Sequence, residues 1–202
     1  NVRQQTAGAF LGDMGISSSL FPLENCPEGQ DACRAAASGG SPEIDDDLLA
    51  DVALYSSTLA VPARRDPEAP EVLRGKQLFG AAGCGDCHTP RHVTGDMPDL
   101  PEVAGQTIFP FTDLLLHDMG EGLADHRPDY DASGTEWRTP PLWGLGLVAT
   151  VNGHTEFLHD GRARSLLEAV LWHGGEAEAS RDAVLTMTAD ERAALLAFLG
   201  SL

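Results

Sequence analysis

Lysine is almost absent from this 202-residue chain: Lys76 stands alone beside twelve arginines, and thirteen bases face thirty-one acids, a formal charge of −18. A surface so poor in positive charge excludes phosphate backbones and anionic bilayers as partners, so no nucleic acid is expected. The excess of acids would steer a basic partner, and it equally serves solubility. No apolar run is long enough to cross a bilayer as a helix, so no membrane span is expected. No internal repeat is visible. The chain opens at Asn1 without a charged-then-apolar leader, and the expectation is that any export signal has been removed or lies upstream. Cysteine is scarce as well, at four residues, and the argument turns on where they stand.

Two of the four, Cys84 and Cys87, lie in "AAGCGDCHTP" with His88 directly behind the second. Three chemistries use such a pair. A redox dithiol opens a helix after a strand in a βαβ pattern, with the helix N-terminus lowering the first thiol's pKa; no such pattern surrounds these cysteines. A structural zinc site needs four nitrogen or sulfur ligands, normally as two paired clusters. The remaining cysteines, Cys26 and Cys33, are more widely spaced and far upstream. Covalent haem attachment needs two thiols for the two vinyl groups and a histidine that reaches the iron from the same side, and "CGDCH" supplies all three. One covalent haem c is therefore the expected cofactor, with His88 as its near-side ligand.

Haem of this kind is attached to reduced thiols outside the cytoplasm, so the motif implies a periplasmic or otherwise exported protein. Cys26 and Cys33, in "ENCPEGQDACRA", suit that compartment as a disulfide closing a small loop, a bridge worth roughly 2 to 3 kcal/mol.

The length suits one domain, or one domain with a long extension. Residues 1–70 read as a loop-rich extension. "QQTAGAFLGDMGISSSLF" is glycine-interrupted, "SGGSPEIDDD" is a linker, and "EIDDDLLADVALYSSTLA" is a helix with Leu48, Leu49, Val52, Leu54 and Tyr55 roughly on one face. "DDD" (Asp45 to Asp47) is a solvated helix start. "VPARRDPEAP" breaks that helix with prolines. In "PEVLRGKQLFGAAG", Val72, Leu73, Leu78 and Phe79 predict a short helix that delivers the chain to Cys84. Two capping boxes mark later helix starts. Ser165 with Glu168 opens a helix through Leu166, Leu167, Val170 and Leu171 to His173, stopped by Gly174 and Gly175. Thr188 with Glu191 opens a final helix carrying Leu195, Leu196, Phe198 and Leu199. A helix before the haem motif and a helix at the C-terminus, crossing beside the haem, are what a cytochrome c fold requires. The fold class is thus mostly α, with residues 71–202 forming a cytochrome c-like haem domain.

"RTPPLWGLG" (Arg138 to Gly146), "FLHDGRARSLLEAVLWHGGEA" (Phe157 to Ala177), "FTDLLLHDMGEGLAD" (Phe111 to Asp125) and "CGDCH" together resemble the C-terminal half of the di-haem oxidoreductase family of peroxidase-type proteins, relatives of the bacterial di-haem cytochrome c peroxidases. The opening "NVRQQTAGAFLGDMGISSSLFPLENC" is similar to an internal stretch of the same family, so the resemblance spans nearly the whole chain. Family members carry two haems and this chain has one Cys-x-x-Cys-His. In the peroxidase relatives peroxide is cleaved at the N-terminal haem, while the C-terminal haem is six-coordinate and relays electrons; the resemblance aligns this chain with the relay half, either as a fragment or as a single-haem relative. It also bears on the iron's sixth ligand. In the relatives that ligand lies fourteen residues after the histidine of a "HDG" turn, and the same count from His159 reaches His173; Met119 is the alternative, with His117, His159 and Met97 as further candidates. A carboxylate or backbone carbonyl is then expected on the other ring nitrogen of His173. The resemblance places His159 beside the haem without ligating it, and Trp172 precedes the ligand. His117 and Asp118 fall in a stretch that borders the haem in the relatives. Trp143 stands where the peroxidases have an arginine, which removes their haem-side salt bridge. His92, His126 and His154 read as surface or loop residues.

Two function classes follow. One is an electron-transfer module whose six-coordinate haem exchanges electrons with a redox partner protein or a second haem domain. The other is a peroxidase or oxidase acting on hydrogen peroxide, at this haem or with a missing second haem domain. A haem-free scaffold is excluded by "CGDCH".

Overall fold

Helix formation begins at the first residue. The Asn1 side chain accepts a hydrogen bond from Gln4 N at 2.9 Å and caps α1 (Val2–Met14), which Gly15 ends in the left-handed conformation at φ 71°. Residues 4–14 of the segment that reads as glycine-interrupted chain are therefore helical. Each interior glycine costs about 1 kcal/mol against alanine, and the Asn1 cap together with burial of Ala7 outweighs that. The computed structural model describes residues 1–98 and 100–202, in two units, Asn1–Ala60 and Val61–Leu202.

In the first unit α1 is joined by α2 (Asp31–Arg34) and α3 (Asp46–Ser57), the latter capped by the Asp45 side chain on Leu48 N. Ala7, Ile44 and Leu49 form its small core, with Phe10, Ile16 and Phe21 around it. Glu43 holds the intervening loop: its carboxylate accepts from Ser17 N at 2.9 Å and Gly39 N at 2.8 Å. Cys26 and Cys33 are joined as a disulfide.

The second unit starts at Val61, so residues 61–70, grouped with the extension on composition, fold with the later chain. The reason is Arg65, whose backbone N–H donates to Ser201 O at 3.0 Å and whose side chain donates to Gly200 O at 3.0 Å. Then α4 (Pro70–Ala81) begins with proline in its first turn and buries Val72, Gly75 and Phe79. Two antiparallel ribbons follow, β1 (His92–Val93) with β2 (Thr107–Ile108) and β3 (Leu116–Asp118) with β4 (Glu136–Arg138). Helices α5 (Val148–Asn152), α6 (Leu166–Leu171), α7 (Glu178–Thr186) and α8 (Ala189–Ser201) complete the chain. Ser165 caps α6, and Thr188 with Glu191 makes a reciprocal capping box at α8. The ribbons and α7 have no counterpart in the sequence reading, and α6 stops at Leu171, leaving His173 just beyond its end. The architecture is mostly α, and among the described residues no helix is long and apolar enough to cross a membrane.

The core of this unit forms where α4 crosses α8. A Cβ on Gly75 would overlap the carbonyl oxygen of Ala194 and lie 2.6 Å from Phe198 Cβ, so only glycine permits the approach. Around the crossing, Phe79, Phe111 and Phe198 pack edge-on or tilted, with ring centroids 5.3 to 6.0 Å apart. Gly75→Ala is expected to destabilise by about 1 to 3 kcal/mol through overpacking. Gly80→Ala, on the same helix with nothing within 4 Å of its added Cβ, is expected to be neutral or to stabilise by up to about 1 kcal/mol. Urea unfolding of both variants checks the contrast; equal effects would remove the crossing as the cause.

Candidate functional site

After α4, Gly83 at φ 77° turns the chain into a single 3-10 turn, Cys84–Asp86, and His88 N donates to Cys84 O at 3.0 Å. The motif is thus a tight loop at the end of the helix that crosses α8. Both cysteines are free thiols. Burial pushes the Cys84 pKa up to about 11. Burial also raises that of Cys87, with the charges of Asp113, Glu176 and Asp86 adding to the effect. Raised thiol pKa values are the reverse of what a redox dithiol needs. For zinc, the described residues bring together one group of three ligand atoms, from Cys87, Asp113 and His117 within 4.8 Å of one another. Cys84 is outside it, and both His117 nitrogens already meet carboxylates.

His88 and His173 face each other with ring centroids 6.5 Å apart. In both rings Nδ1 is engaged by a backbone carbonyl, Phe111 O at 3.1 Å for His88 and Ala169 O at 2.8 Å for His173. A carbonyl can only accept, so Nδ1 carries the proton and Nε2 keeps its lone pair. Burial holds the His88 pKa down to about 4 and lowers that of His173, so both are neutral at neutral pH. Two imidazoles bonded through Nε2 to a common ion at about 2 Å each have centroids about 6 Å apart. The observed pair fits one metal ion between two neutral imidazoles. Two thiols, Cys84 and Cys87, in the turn that carries His88, together with this imidazole pair, are residue types that fit a covalent haem.

The segments carrying the two histidines are tied together by His117. Its Nε2 meets Asp113 Oδ2 and its Nδ1 meets Glu176 Oε2, both at 2.9 Å, and Glu176 Oε1 accepts from Asp118 N at 3.0 Å. Asp113 lies two residues after Phe111, the partner of His88, and Glu176 lies three after His173. Hydrogen bonds to Glu176 and Asp113 raise the His117 pKa. Burial of Asp113 opposes its ionisation, but hydrogen bonds from Leu115 N and His117 outweigh that and lower its pKa; hydrogen bonds with His117 and Asp118 lower that of Glu176. Next to His173 the glycine pair packs backbone on backbone: a Cβ on Gly175 would overlap Asp118 O and lie 2.7 Å from Gly120 N, and one on Gly174 would lie 3.0 Å from Met119 O.

The other sequence candidates make other contacts. Met119 enters through its backbone, with N–H donating to Thr135 O at 2.9 Å. His159 stacks on Trp137 with centroids 3.6 Å apart, and Trp137 pairs with His117 in the β3–β4 ribbon. Trp172 lies beneath the Arg162 guanidinium, 5.0 Å from its ring centroid. Met97 O accepts from Leu100 N, and His92 reaches Thr112 O at 2.6 Å. Phe111, Asp113, Trp137 and Glu176 escaped the sequence reading as site residues. Phe111 acts through its carbonyl, which leaves no side-chain signature, and Asp113 and Glu176 pair with His117 only once the chain is folded.

A protein-family model described as "di-haem oxidoreductase, putative peroxidase" matches residues 1–202. No curated protein and no solved structure matches the chain.

The charged trio sets a pH dependence. His117, with its pKa raised, contributes stability that is full below the unfolded value of about 6.5 and fades as pH rises through the folded value. Asp113 and Glu176, with theirs lowered, contribute above about pH 4 and lose it as pH falls through their folded values. The stability gap between wild type and His117→Gln, read by urea unfolding across pH, is expected to be widest near pH 5 to 6 and to narrow above neutrality. A gap that is constant with pH would show that the imidazolium charge is irrelevant.

Proposed function

The chain belongs to the di-haem oxidoreductase family, which implies haem as its cofactor, and from that premise we propose that it is an exported c-type cytochrome module for electron transfer. One observation carries the reading: two partly buried neutral imidazoles, His88 and His173, face each other at 6.5 Å with each Nδ1 on a backbone carbonyl. Cys84 and Cys87 would hold a single haem through their sulfurs, and His88 and His173 would bind its iron. Residues 71–202 form a cytochrome c-like domain, and residues 1–70 are an extension whose last ten fold with it. His159, through Trp137, and Trp172, as neighbour of His173, border the pocket.

Bound there, haem supplies a one-electron couple, with two nitrogen ligands favouring ferric iron and a lower potential than histidine and methionine together. The protein's part is to keep both ligands in place in both oxidation states. Phe111 O and Ala169 O fix the ring orientations and strengthen each Nε2 as a donor. The Asp113–His117–Glu176 bridge and the Gly174–Gly175 contact hold the two ligand segments at constant separation. Phe79 and Phe111, packed beside His88, exclude water. The formal charge of −18 steers a basic redox partner, or a second haem domain with a basic face. The attachment chemistry and the Cys26–Cys33 disulfide both suit the periplasm.

A second reading, peroxidase or oxidase action on hydrogen peroxide, is favoured by one fact: the family is described as di-haem and peroxidase-type, while this chain holds one Cys-x-x-Cys-His. In that reading a second haem domain would provide the open iron position, and this chain would relay electrons to it.

Cyanide binding separates the assignments. The intact mass is expected to exceed that of the polypeptide by one haem, and the wild type is expected to resist cyanide. His173→Ala should admit cyanide and raise the ferric spin state, while Met119→Ala should do neither. The opposite pattern would make Met119 the ligand, and turnover of peroxide by the isolated chain at about 1 per second or faster would promote the peroxidase reading.

A further inference from the structure

Among the described residues, His117 alone has a carboxylate within hydrogen-bond distance of each ring nitrogen, Asp113 Oδ2 at Nε2 and Glu176 Oε2 at Nδ1, both at 2.9 Å. An ionised carboxylate can only accept, so each nitrogen carries a proton and the ring is an imidazolium. Loss of either proton would set a nitrogen lone pair against a carboxylate oxygen, and the two hydrogen bonds accordingly raise the ring's pKa. Holding two segments together needs no titratable group. A histidine in that place adds one.

Its position gives the proton a second consequence. A ring nitrogen of His117 and a carboxylate oxygen of Asp113 lie within 4.8 Å of Cys87 Sγ, one of the two sulfurs assigned to the haem. Asp113 follows by two residues Phe111, whose carbonyl holds His88, and Glu176 follows His173 by three. The imidazolium thus stands beside an attachment sulfur, between the two ligand segments. Exposure is lopsided: the side chains of His117 and Asp113 are 16% and 14% exposed, that of Glu176 56%. The Nε2 side is shielded, and on the Nδ1 side a carboxylate reaches water, which gives the proton one way in and out. The other charged groups nearby are Asp118, which acts on Glu176, and Asp86, which acts on Cys87. Across the ribbon stands Trp137, with His159 stacked on it. His88 and His173 are neutral, and neither carboxylate of the trio is ion-paired to an arginine.

We propose that His117 is the redox-linked proton site of this chain, taking up a proton on reduction of the haem and releasing it on oxidation. The inference rests on the proposed covalent haem. The oxidised centre bears one more positive charge than the reduced one, and a like charge nearby disfavours an imidazolium. On reduction one electron from the redox partner enters the iron, and one proton from water, passing Glu176, forms the N–H bond at Nδ1; oxidation reverses both. Below the two pKa values of His117 the proton is bound in both states, and above them it is bound in neither. Only between them does each electron bring a proton, and there the reduction potential falls as pH rises. Because the hydrogen bonds to Glu176 and Asp113 raise the pKa from its ordinary value of about 6.5, the fall belongs to the neutral to alkaline range.

The test uses the haem-loaded chain and two readouts from about pH 5 to 9, the reduction potential and the ring-proton NMR titration of His117 in each oxidation state. The wild-type potential should fall across neutrality by up to one proton per electron, and His117 should titrate at higher pH in the ferrous chain than in the ferric one. His117→Gln should abolish the falling segment. Glu176→Gln, which removes the exposed carboxylate and leaves the imidazole, should keep the fall and move it to lower pH, an effect that a merely structural tie would not produce. A flat wild-type profile, or equal His117 pKa values in the two states, overturns the proposal, and neither result needs a variant to fold. So does a folded His117→Gln that keeps the wild-type fall, or a Glu176→Gln chain in which the fall has not moved. A purified chain without covalent haem would sink the underlying haem reading instead, and that is seen in the intact mass before any potential is measured.

Discussion

At Gly75 the backbone of α4 lies against the Ala194 carbonyl of α8, an approach that any side chain would block. The remainder of the larger unit depends on this crossing. It brings Phe198 onto Phe79 and Phe111, and it aims the end of α4 so that the turn at Gly83 presents Cys84, Cys87 and His88 beside that aromatic cluster. The two helices are far apart in sequence, so their contact carries a large loop-closure entropy. Burial of Val72, Phe79, Leu195, Phe198 and Leu199 in one core offsets it.

The site is assembled from what that long loop contains. His173 follows α6 directly, and its Nδ1 turns back to Ala169, the residue one helical turn earlier. The glycine pair then presses against the 118–120 backbone. His117 links Asp113, on the His88 side, to Glu176, on the His173 side. His88 and His173 are thus each held in place by backbone carbonyls and by the His117 bridge between their segments. If the chain carries electrons as proposed, such fixation would keep the geometry alike in both oxidation states.

Features set by neighbours in the chain were legible. Asp45, Ser165 and Thr188 cap the helices that the spacing of apolar residues predicts, because a cap and its N–H partner are three residues apart. The disulfide follows from two cysteines seven apart. Where the reading missed, a weak local signal was outvoted by packing: α1 holds two interior glycines yet forms on the Asn1 cap and the burial of Ala7. The proline-rich 61–70 stretch, read only as the break after a helix, is fastened through Arg65 to Gly200 and Ser201.

The sequence by itself determined the Cys-x-x-Cys-His motif, the mostly helical architecture, the acidic balance and, through the resemblance, His173 as the candidate opposite His88. Each is a matter of residue type and spacing along the chain. Only the tertiary structure decided that Phe111 and Ala169 lend carbonyls to the two rings, that His117 is shared between Asp113 and Glu176, and that Arg64 Nε and Arg65 Nη1 are buried without a hydrogen-bond partner. Backbone carbonyls have no sequence identity, and a missing partner is a property of three-dimensional neighbours. Both come into being when α4 and α8 cross and the intervening chain closes around them.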